Sequence, residues 1–190
     1  MGGPAKSKYD LDLDRNPANY EPLTPLTFLA RTASIHPDRT AIVHGTMWRS
    51  YNELYARARR LGSALSQVGI GPGDTVSAML ANTPEMLEAH FGVPMTGAVL
   101  HTINTRLDAK IIAFQLDHSE SKLLFVDREF SGVVAEALEL ASVKPRVIDV
   151  DDLEFPQSGA LLGELDYEAF IANGDPEFNW RMPEAEWEAI

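Results

Sequence analysis

Short apolar segments alternate with amphipathic helical segments along most of this 190-residue sequence, and this alternation restricts the fold more than any other feature. Helices of about 10–15 residues between apolar strands are typical of βαβ units, which build a parallel sheet. The sequence therefore predicts an α/β fold, with a doubly wound, mostly parallel sheet and flanking helices. We predict strands at 40–44, 47–50, 74–80, 97–103, 122–126 and 146–150, of which the first two form a hairpin.

The predicted helices begin with capping signals. Thr24 precedes Pro25, which suits the first position of a helix, and Ser50 and Glu53 have the spacing of a capping box. The segment Asn82-Thr83-Pro84-Glu85 combines a cap, a proline and a first-turn carboxylate. We predict helices at about 24–34, 51–68, 82–92, 107–117, 128–141 and 167–172.

Acidic residues are concentrated near the C-terminal end of the sequence. The formal net charge is −12, and residues 149–190 contain twelve acidic residues and a single base, Arg181. Runs of like charge usually stay solvated. We therefore expect an extended lead-in at 1–22, an α/β lobe at 23–150 and an acidic connecting segment at 151–190.

Composition excludes several classes of function. The acidic balance argues against nucleic acid as a partner, because binding phosphates requires clustered Lys and Arg. The sequence has no cysteine, which excludes disulfides, thiol catalysis and Cys-ligated metals. No apolar run approaches the roughly 18–20 residues that span a bilayer, and the N-terminus lacks an apolar signal core. We expect no membrane partner and a cytoplasmic location.

The glycine-rich segment Gly69-Ile-Gly-Pro-Gly-Asp74 imitates a phosphate-binding loop. Such a loop follows a strand and opens a helix, so that the helix N-terminus faces the anion. Here the predicted order is reversed, with a helix before the segment and a strand after it. We interpret the segment as a helix C-cap turn.

Two acidic clusters depart from the pattern of a metal site. Asp10, Asp12 and Asp14 imitate the start of an EF-hand calcium loop, but Arg15 stands where the loop requires glycine. The cluster at Asp149–Glu154 has enough carboxylates for Mg²⁺, although a solvated charge run explains it better. We therefore predict no metal site in either cluster.

The five histidines are His36, His44, His90, His101 and His118. None has the helical i, i+4 pairing of a zinc site. His90 lies in a predicted helix and His101 near a predicted strand end, so we interpret both as packing residues or partners of backbone hydrogen bonds. The sequence also lacks a recognisable nucleophile–base pair and a GxxxxGK[ST] loop. The residues by themselves therefore predict no catalytic residue.

Four segments keep an ordered spacing over about 105 residues. They are PLTPLTFLARTASIHPDRTAIVHG at 22–45, WRSYNELYARARRLGSAL at 48–65, GIGPGDTVSAMLANTPEMLEAHFGVPMTGAVLHTINTRL at 69–107 and HSESKLLFVD at 118–127. Together they resemble the N-terminal part of the adenylate-forming (ANL) superfamily of acyl-CoA synthetases. The stretch GAVLHTINTRL looks most like the branch that acts on medium-chain fatty acids and methylmercaptopropionate.

The resemblance implies an activity and its cofactors. Members of the superfamily make an acyl-adenylate from a small carboxylic acid, ATP and Mg²⁺, and then pass the acyl group to coenzyme A. Their phosphate loop, Thr/Ser-Gly-Thr-Thr-Gly-x-Pro-Lys, does not occur in these residues. The resemblance therefore implies an N-terminal fragment, truncated near Ile190 and inactive alone, of an enzyme that forms a homodimer. The alternative is a non-catalytic α/β module that acts by binding or oligomerisation.

Arg106 is the one site residue that the resemblance assigns. It lies in the stretch INTRL, after a predicted strand, and loops at the carboxyl ends of parallel strands bind ligands. In relatives, an arginine in the corresponding Asn-Pro-Arg-Leu stretch lies near the phosphates of coenzyme A, whereas Thr105 replaces the proline here. A guanidinium can bind phosphate oxygens bidentately. The alternative is an exposed arginine that pairs with Asp108.

Overall fold

The structure, a computed structural model, describes residue 18, residues 24–156 and residues 159–180. Within these residues, α-helices alternate with short strands. The helices are α1 (Pro25–Ile35), α2 (Tyr51–Gln67), α3 (Pro84–Gly92), α4 (Ala109–His118), α5 (Ser131–Leu140) and α6 (Tyr167–Ala172). The strands are β1 (Thr40–His44), β2 (Met47–Ser50), β3 (Thr75–Met79), β4 (Val99–Thr102), β5 (Leu123–Asp127), β6 (Arg146–Val150) and β7 (Leu165–Asp166).

Five of the strands form one parallel sheet in the order β4-β3-β5-β6-β7, whereas β1 and β2 form a separate antiparallel hairpin. In β5, Leu123 and Phe125 face a cluster that contains residues of α2, α3 and α6, while Leu124 and Val126 face α4 and α5. A strand buried on both faces reads as a continuous apolar run. The predicted α/β class, parallel sheet and hairpin are confirmed.

Two details differ from the predicted elements. Residues Arg128–Phe130 form a 3₁₀ turn, and α5 begins only at Ser131, because the Asp127 carboxylate accepts a hydrogen bond from the backbone N–H of Glu129 at 3.0 Å. The two-residue strand β7 is too short to show a periodicity in the sequence. It lies beyond residue 150, so the sheet continues into the part of the chain where we expected a connecting segment.

Reciprocal capping explains where the first two helices begin. The side chains of Thr24 and Thr27 each accept the other residue's backbone N–H at 3.1 Å. The Glu53 carboxylate accepts the backbone N–H of Ser50 at 2.7 Å, and the Ser50 hydroxyl oxygen accepts the backbone N–H of Glu53 at 3.2 Å. Thr83, in contrast, makes no side-chain cap bond at the start of α3. The predicted capping box is thus confirmed at Ser50, whereas the predicted cap of α3 is not formed and its start has only Pro84 and the first-turn carboxylate of Glu85.

The acidic run that begins at Asp149 in β6 is hydrogen-bonded to other protein groups. Asp149 is buried, and the carboxylates that follow it bind residues of the hairpin and of the turn after β5. The prediction of a solvated charge run is therefore wrong for Asp149, whereas Asp151 is exposed. Sequence alone does not show the donors that bind these carboxylate oxygens. The pairs are Asp149 with the backbone N–H groups of Leu162 and Gly163, Asp151 with Arg128, Asp152 with His44 and Glu154 with Thr46.

Two helices approach closely where α3 ends. A Cβ atom on Gly92 would lie 2.7 Å from the Leu61 side chain and 2.8 Å from the Ala58 carbonyl oxygen. Only glycine fits at that separation without displacing α2. The contact holds α3 against α2 beside the parallel sheet.

A buried carboxylate joins four elements. Glu88 of α3 has no exposed surface. One of its oxygens, Oε1, accepts hydrogen bonds from Arg49 of β2 and Arg57 of α2, both at 2.6 Å. The other accepts the hydroxyl of Tyr167 of α6 at 2.9 Å, and Arg57 also pairs with Glu168. The cluster holds the hairpin, α2, α3 and α6 together.

The charges in this cluster depend on one another. Burial raises the pKa of Glu88, while the hydrogen bond and charge of Arg57 and the charge of Arg49 oppose that shift. Burial by itself lowers the pKa of Arg57. Its hydrogen bonds to Glu168 and Glu88 outweigh this effect and raise its pKa above the ordinary value. Burial raises the pKa of Tyr167 well above 10, so the hydroxyl remains a donor.

Replacing the shared carboxylate should destabilise the protein strongly. Glu88→Gln leaves Arg49 and Arg57 packed around a neutral side chain, and breaking a buried ion pair costs about 3–5 kcal/mol. Urea unfolding followed by circular dichroism measures the free energy of unfolding. The matched control is Glu136→Gln on the exposed side of α5, where we expect a change within about 0.5 kcal/mol. Equal stability of the two variants would contradict the role of Glu88.

Candidate functional site

The sheet order places a crevice at one edge. From β3 the chain crosses to β4 on one side and then returns to β5 on the other side of β3. The connections after β3 and β5 therefore leave in opposite directions. In open α/β sheets, ligands bind outside the carboxyl ends of the strands at such a reversal.

A cleft of about 490 Å³ lies at this carboxyl edge. Its polar side chains come from the connections after β3 and β4, and they offer carboxamide and hydroxyl groups. Its apolar wall includes the ring of Phe130, which follows β5. The lining residues are Leu80, Ala81, Asn82, Met86, Thr102, Ile103, Asn104, Thr105 and Phe130.

Arg106 lies in the loop that follows β4, as the sequence predicts. Its side chain is exposed, and no carboxylate of the described residues forms an ion pair with it. The alternative partner, Asp108, instead caps α4 by accepting the backbone N–H of Ile111 at 3.0 Å. The predicted pairing of Arg106 with Asp108 is therefore not formed. Arg106 is not itself a lining residue of the cleft, but it directly follows one, Thr105, and its side chain is exposed.

A buried carboxylate at the same edge was not singled out from the sequence. Asp127 is the last residue of β5 and is 3 % exposed. Burial raises the pKa of Asp127, and the charges of Glu129 and Asp152 add to the shift, while backbone hydrogen bonds from Glu129 and Ala81 oppose it. An acidic residue at the end of an apolar strand was the signal that could have revealed it.

A second cleft, of about 370 Å³, lies between the hairpin and the start of α3. Asn82 and Met86 line both clefts. Thr83 also lines this second cleft, and its buried hydroxyl has no partner among the described residues. The start of α3 thus separates two concave surfaces at one edge of the sheet.

The histidines are dispersed and take part in local contacts. His101 of β4 lies 2.9 Å from the Ser77 hydroxyl, and His90 lies 2.8 Å from the carbonyl oxygen of Met86. His118 stacks on Phe114. The interpretation as packing and hydrogen-bonding residues is confirmed for His90, and His101 binds a side chain rather than the backbone.

Within the described ranges, no group of three His, Cys, Asp or Glu side chains could hold a metal ion. The EF-hand-like residues Asp10, Asp12 and Asp14 lie outside those ranges. The cluster at Asp149–Glu154, which we weighed for Mg²⁺, is engaged by the protein groups described above.

The glycine-rich segment closes the opposite edge of the sheet. Gly69 and Gly73 each have φ of +84°, a backbone conformation that favours glycine. The Asp74 carboxylate accepts the backbone N–H of Gly71 at 3.0 Å and pairs with Lys122. The segment follows α2 and precedes β3, so the predicted C-cap turn is confirmed.

Comparison with known proteins decides the family. The AMP-binding enzyme family matches residues 29–182, which is well over half of the sequence. This chain belongs to the AMP-binding enzyme family. The resemblance to the N-terminal part of adenylate-forming enzymes is thereby confirmed.

Curated relatives are much longer than this chain. An acetate/butyrate–CoA ligase of Arabidopsis thaliana, described as peroxisomal, is 44% identical, and the match covers 94% of this chain and 33% of that protein. An acetate–CoA ligase of Humulus lupulus is 42% identical, and the match covers 94% of this chain and 34% of that protein. A peroxisomal benzoate–CoA ligase of Arabidopsis thaliana is 44% identical over 170 residues, with coverage of 87% and 29%. The chain spans about a third of the length of these relatives.

Solved structures agree on the fold. An anthranilate–CoA ligase in complex with anthranoyl-AMP superposes with a TM-score of 0.74 at 18% identity, covering 82% of this chain and 29% of that one. A benzoate–CoA ligase from Burkholderia xenovorans gives a TM-score of 0.71 at 23% identity, covering 83% of this chain and 30% of that one.

The described helices include none that is both long and apolar enough to cross a bilayer.

The half-buried position of His101 has a measurable consequence. Burial lowers the pKa of His101, so we expect its ring to titrate below 6.5 in an NMR pH titration. Because the folded pKa lies below the unfolded one, the stabilisation by neutral His101 is fully present above pH 6.5 and decreases as the pH falls below it. His101→Gln should flatten this decrease, while His118→Gln should leave it in place. A midpoint at or above 6.5 would contradict the burial of the ring.

Proposed function

We propose that this chain forms the N-terminal part of an acid–thiol ligase. In that reaction, a carboxylate oxygen attacks the α-phosphorus of ATP and pyrophosphate leaves. The thiol sulfur of coenzyme A then attacks the acyl carbonyl carbon, loses its proton, and AMP leaves. The observation that carries the proposal is the family match over residues 29–182, supported by relatives that are named CoA ligases.

The described residues fit some of the implied ligands better than others. They gather no three ligating side chains for Mg²⁺, and the sequence has no Thr/Ser-Gly-Thr-Thr-Gly-x-Pro-Lys loop for the phosphates of ATP. We therefore assign ATP and Mg²⁺ binding to none of these residues. In the proposed enzyme those groups bind to other parts of the protein.

The carboxyl-edge cleft and the loop after β4 offer groups that suit parts of coenzyme A. Arg106 offers an exposed guanidinium without a carboxylate partner in the described part of the chain, and a planar guanidinium suits phosphate oxygens. Asn82 offers a carboxamide, and Phe130 offers an aromatic wall. Carboxamides beside an aromatic ring are groups that can bind a nucleobase by its edge and face. We propose Arg106 as a phosphate-binding residue for coenzyme A.

The acid is proposed to be small. The first relatives are named for acetate, butyrate and 2-methylpropanoate, which favours a short-chain acid. The stretch GAVLHTINTRL resembles the branch that acts on medium-chain fatty acids and methylmercaptopropionate. We therefore include these acids in the proposal. A homodimer and a cytoplasmic location also remain proposals for the complete enzyme.

The first test compares this chain with the complete protein that contains it. We expect acid-dependent ATP–pyrophosphate exchange from the complete protein and none from the 190 residues alone, because phosphoryl chemistry depends on groups that position and neutralise the phosphates. The acids in the panel are acetate, butyrate, 2-methylpropanoate, octanoate, methylmercaptopropionate and benzoate. No exchange by the complete protein with any acid would favour a non-catalytic binding module. Exchange by the 190 residues, free of other enzymes, would contradict the assignment of ATP binding elsewhere.

The second test concerns Arg106 in the complete protein. Arg106→Ala should raise the KM for coenzyme A by at least about tenfold, which corresponds to the loss of hydrogen bonds between charged groups. Adenylate formation, measured by pyrophosphate exchange, should be unchanged. The matched control is Arg31→Ala, since Arg31 is an exposed arginine of α1. Wild-type kinetics in both half-reactions would show that Arg106 does not bind coenzyme A.

A further inference from the structure

One side chain holds the loop between β4 and α4. The Oδ1 atom of Asn104 accepts the backbone N–H of Arg106 at 3.0 Å. The carbonyl oxygen of Asn104 accepts the backbone N–H of Leu107 at 3.2 Å. A side-chain oxygen that binds the backbone two residues later replaces a backbone turn. Asn104 therefore determines how the chain bends between Ile103 and α4.

The start of this turn is fixed to the sheet. Ile103 is 3 % exposed, and its backbone N–H donates to the carbonyl oxygen of Ala78 in β3 at 2.9 Å. The loop thus leaves the sheet at an anchored residue and bends at the next one. Arg106 lies two residues beyond the bend.

The side chain of Arg106 has no comparable support. It is exposed, and within the described ranges it forms no ion pair and no side-chain hydrogen bond. The position of its Cα atom and the direction of its Cα–Cβ bond are therefore set by the backbone, and the Asn104 carboxamide holds that backbone. Removing the carboxamide oxygen would release the turn and move the point from which the side chain extends.

We propose that Asn104 is a positioning residue, which orients Arg106 toward the phosphates of coenzyme A. This inference rests on the proposed function, in which Arg106 binds those phosphates. Asn104 acts through the backbone of Arg106. The rival role is direct contact with coenzyme A, because Asn104 also lines the cleft.

A double-mutant cycle in the complete protein separates these roles. The variants are Asn104→Ala, Arg106→Ala and the double variant, and the measurements are the KM for coenzyme A and the rate of pyrophosphate exchange. We expect Asn104→Ala to raise the KM for coenzyme A about three- to tenfold, the range that follows from losing one hydrogen bond. Exchange should be unchanged. In the Arg106→Ala background, Asn104→Ala should add no further increase.

Two more variants complete the experiment. Asn104→Ser keeps an acceptor oxygen near the Arg106 N–H, so we expect its KM to lie between those of the wild type and the alanine variant. The matched control is Asn52→Ala, the same change at an exposed position of α2. Its KM should equal that of the wild type. Thermal melting and exchange activity verify that each variant is folded.

Each remaining outcome overturns one statement. If Arg106→Ala raises the KM but Asn104→Ala does not, the positioning role is wrong and the coenzyme A assignment stands. If Asn104→Ala raises the KM equally with and without Arg106, Asn104 contacts the ligand directly. If Arg106→Ala has no effect, the proposed role of Arg106 fails, and the inference about Asn104 fails with it.

Discussion

Glu88 has no exposed surface, and its two oxygens are shared between Arg49, Arg57 and Tyr167. Removing a carboxylate from water costs several kcal/mol, which only close charge partners and hydrogen bonds can offset. The arrangement therefore persists only while β2, α2 and α6 all stay docked around α3. Loss of β2 or α2 removes one of the two arginines from Glu88, and loss of α6 removes the hydroxyl that donates to it. The hairpin and α6 are short, and this shared charge couples them to the sheet.

The same cluster determines the geometry of the candidate site. Asn82 lies two residues before the start of α3, and Met86 lies in its first turn. Both residues line the two clefts at the carboxyl edge. Gly92 holds the other end of α3 against α2, where a Cβ atom would not fit. With Glu88 fixed between these points, α3 has little freedom to slide. The wall that α3 contributes to the clefts is thus set by contacts away from them.

Sequence reasoning succeeds where the information is local. The apolar run of β5 and the capping pair Ser50 and Glu53 are readable because each depends on neighbours in the chain. The loop position of Arg106 follows from the same order of strands and helices. Asp149 was misread because the N–H groups that it accepts, those of Leu162 and Gly163, are supplied by a loop 13 and 14 residues away. No periodicity or composition in the sequence encodes such a pairing.

The lysines at the amino edge of the sheet are engaged by protein groups, whereas Arg106 at the carboxyl edge is not. A cleft of about 580 Å³ also exists at the amino ends of β5 and β6. There, however, Lys122 pairs with Asp74, and Lys144 donates to the carbonyl oxygens of Leu138 and Ala141. An anion binding to these lysines would have to compete with their existing partners, while Arg146 of the same cleft lies over the ring of Phe170. No carboxylate of the described residues pairs with Arg106. An anion can therefore pair with the charge of Arg106 without breaking an ion pair of the fold.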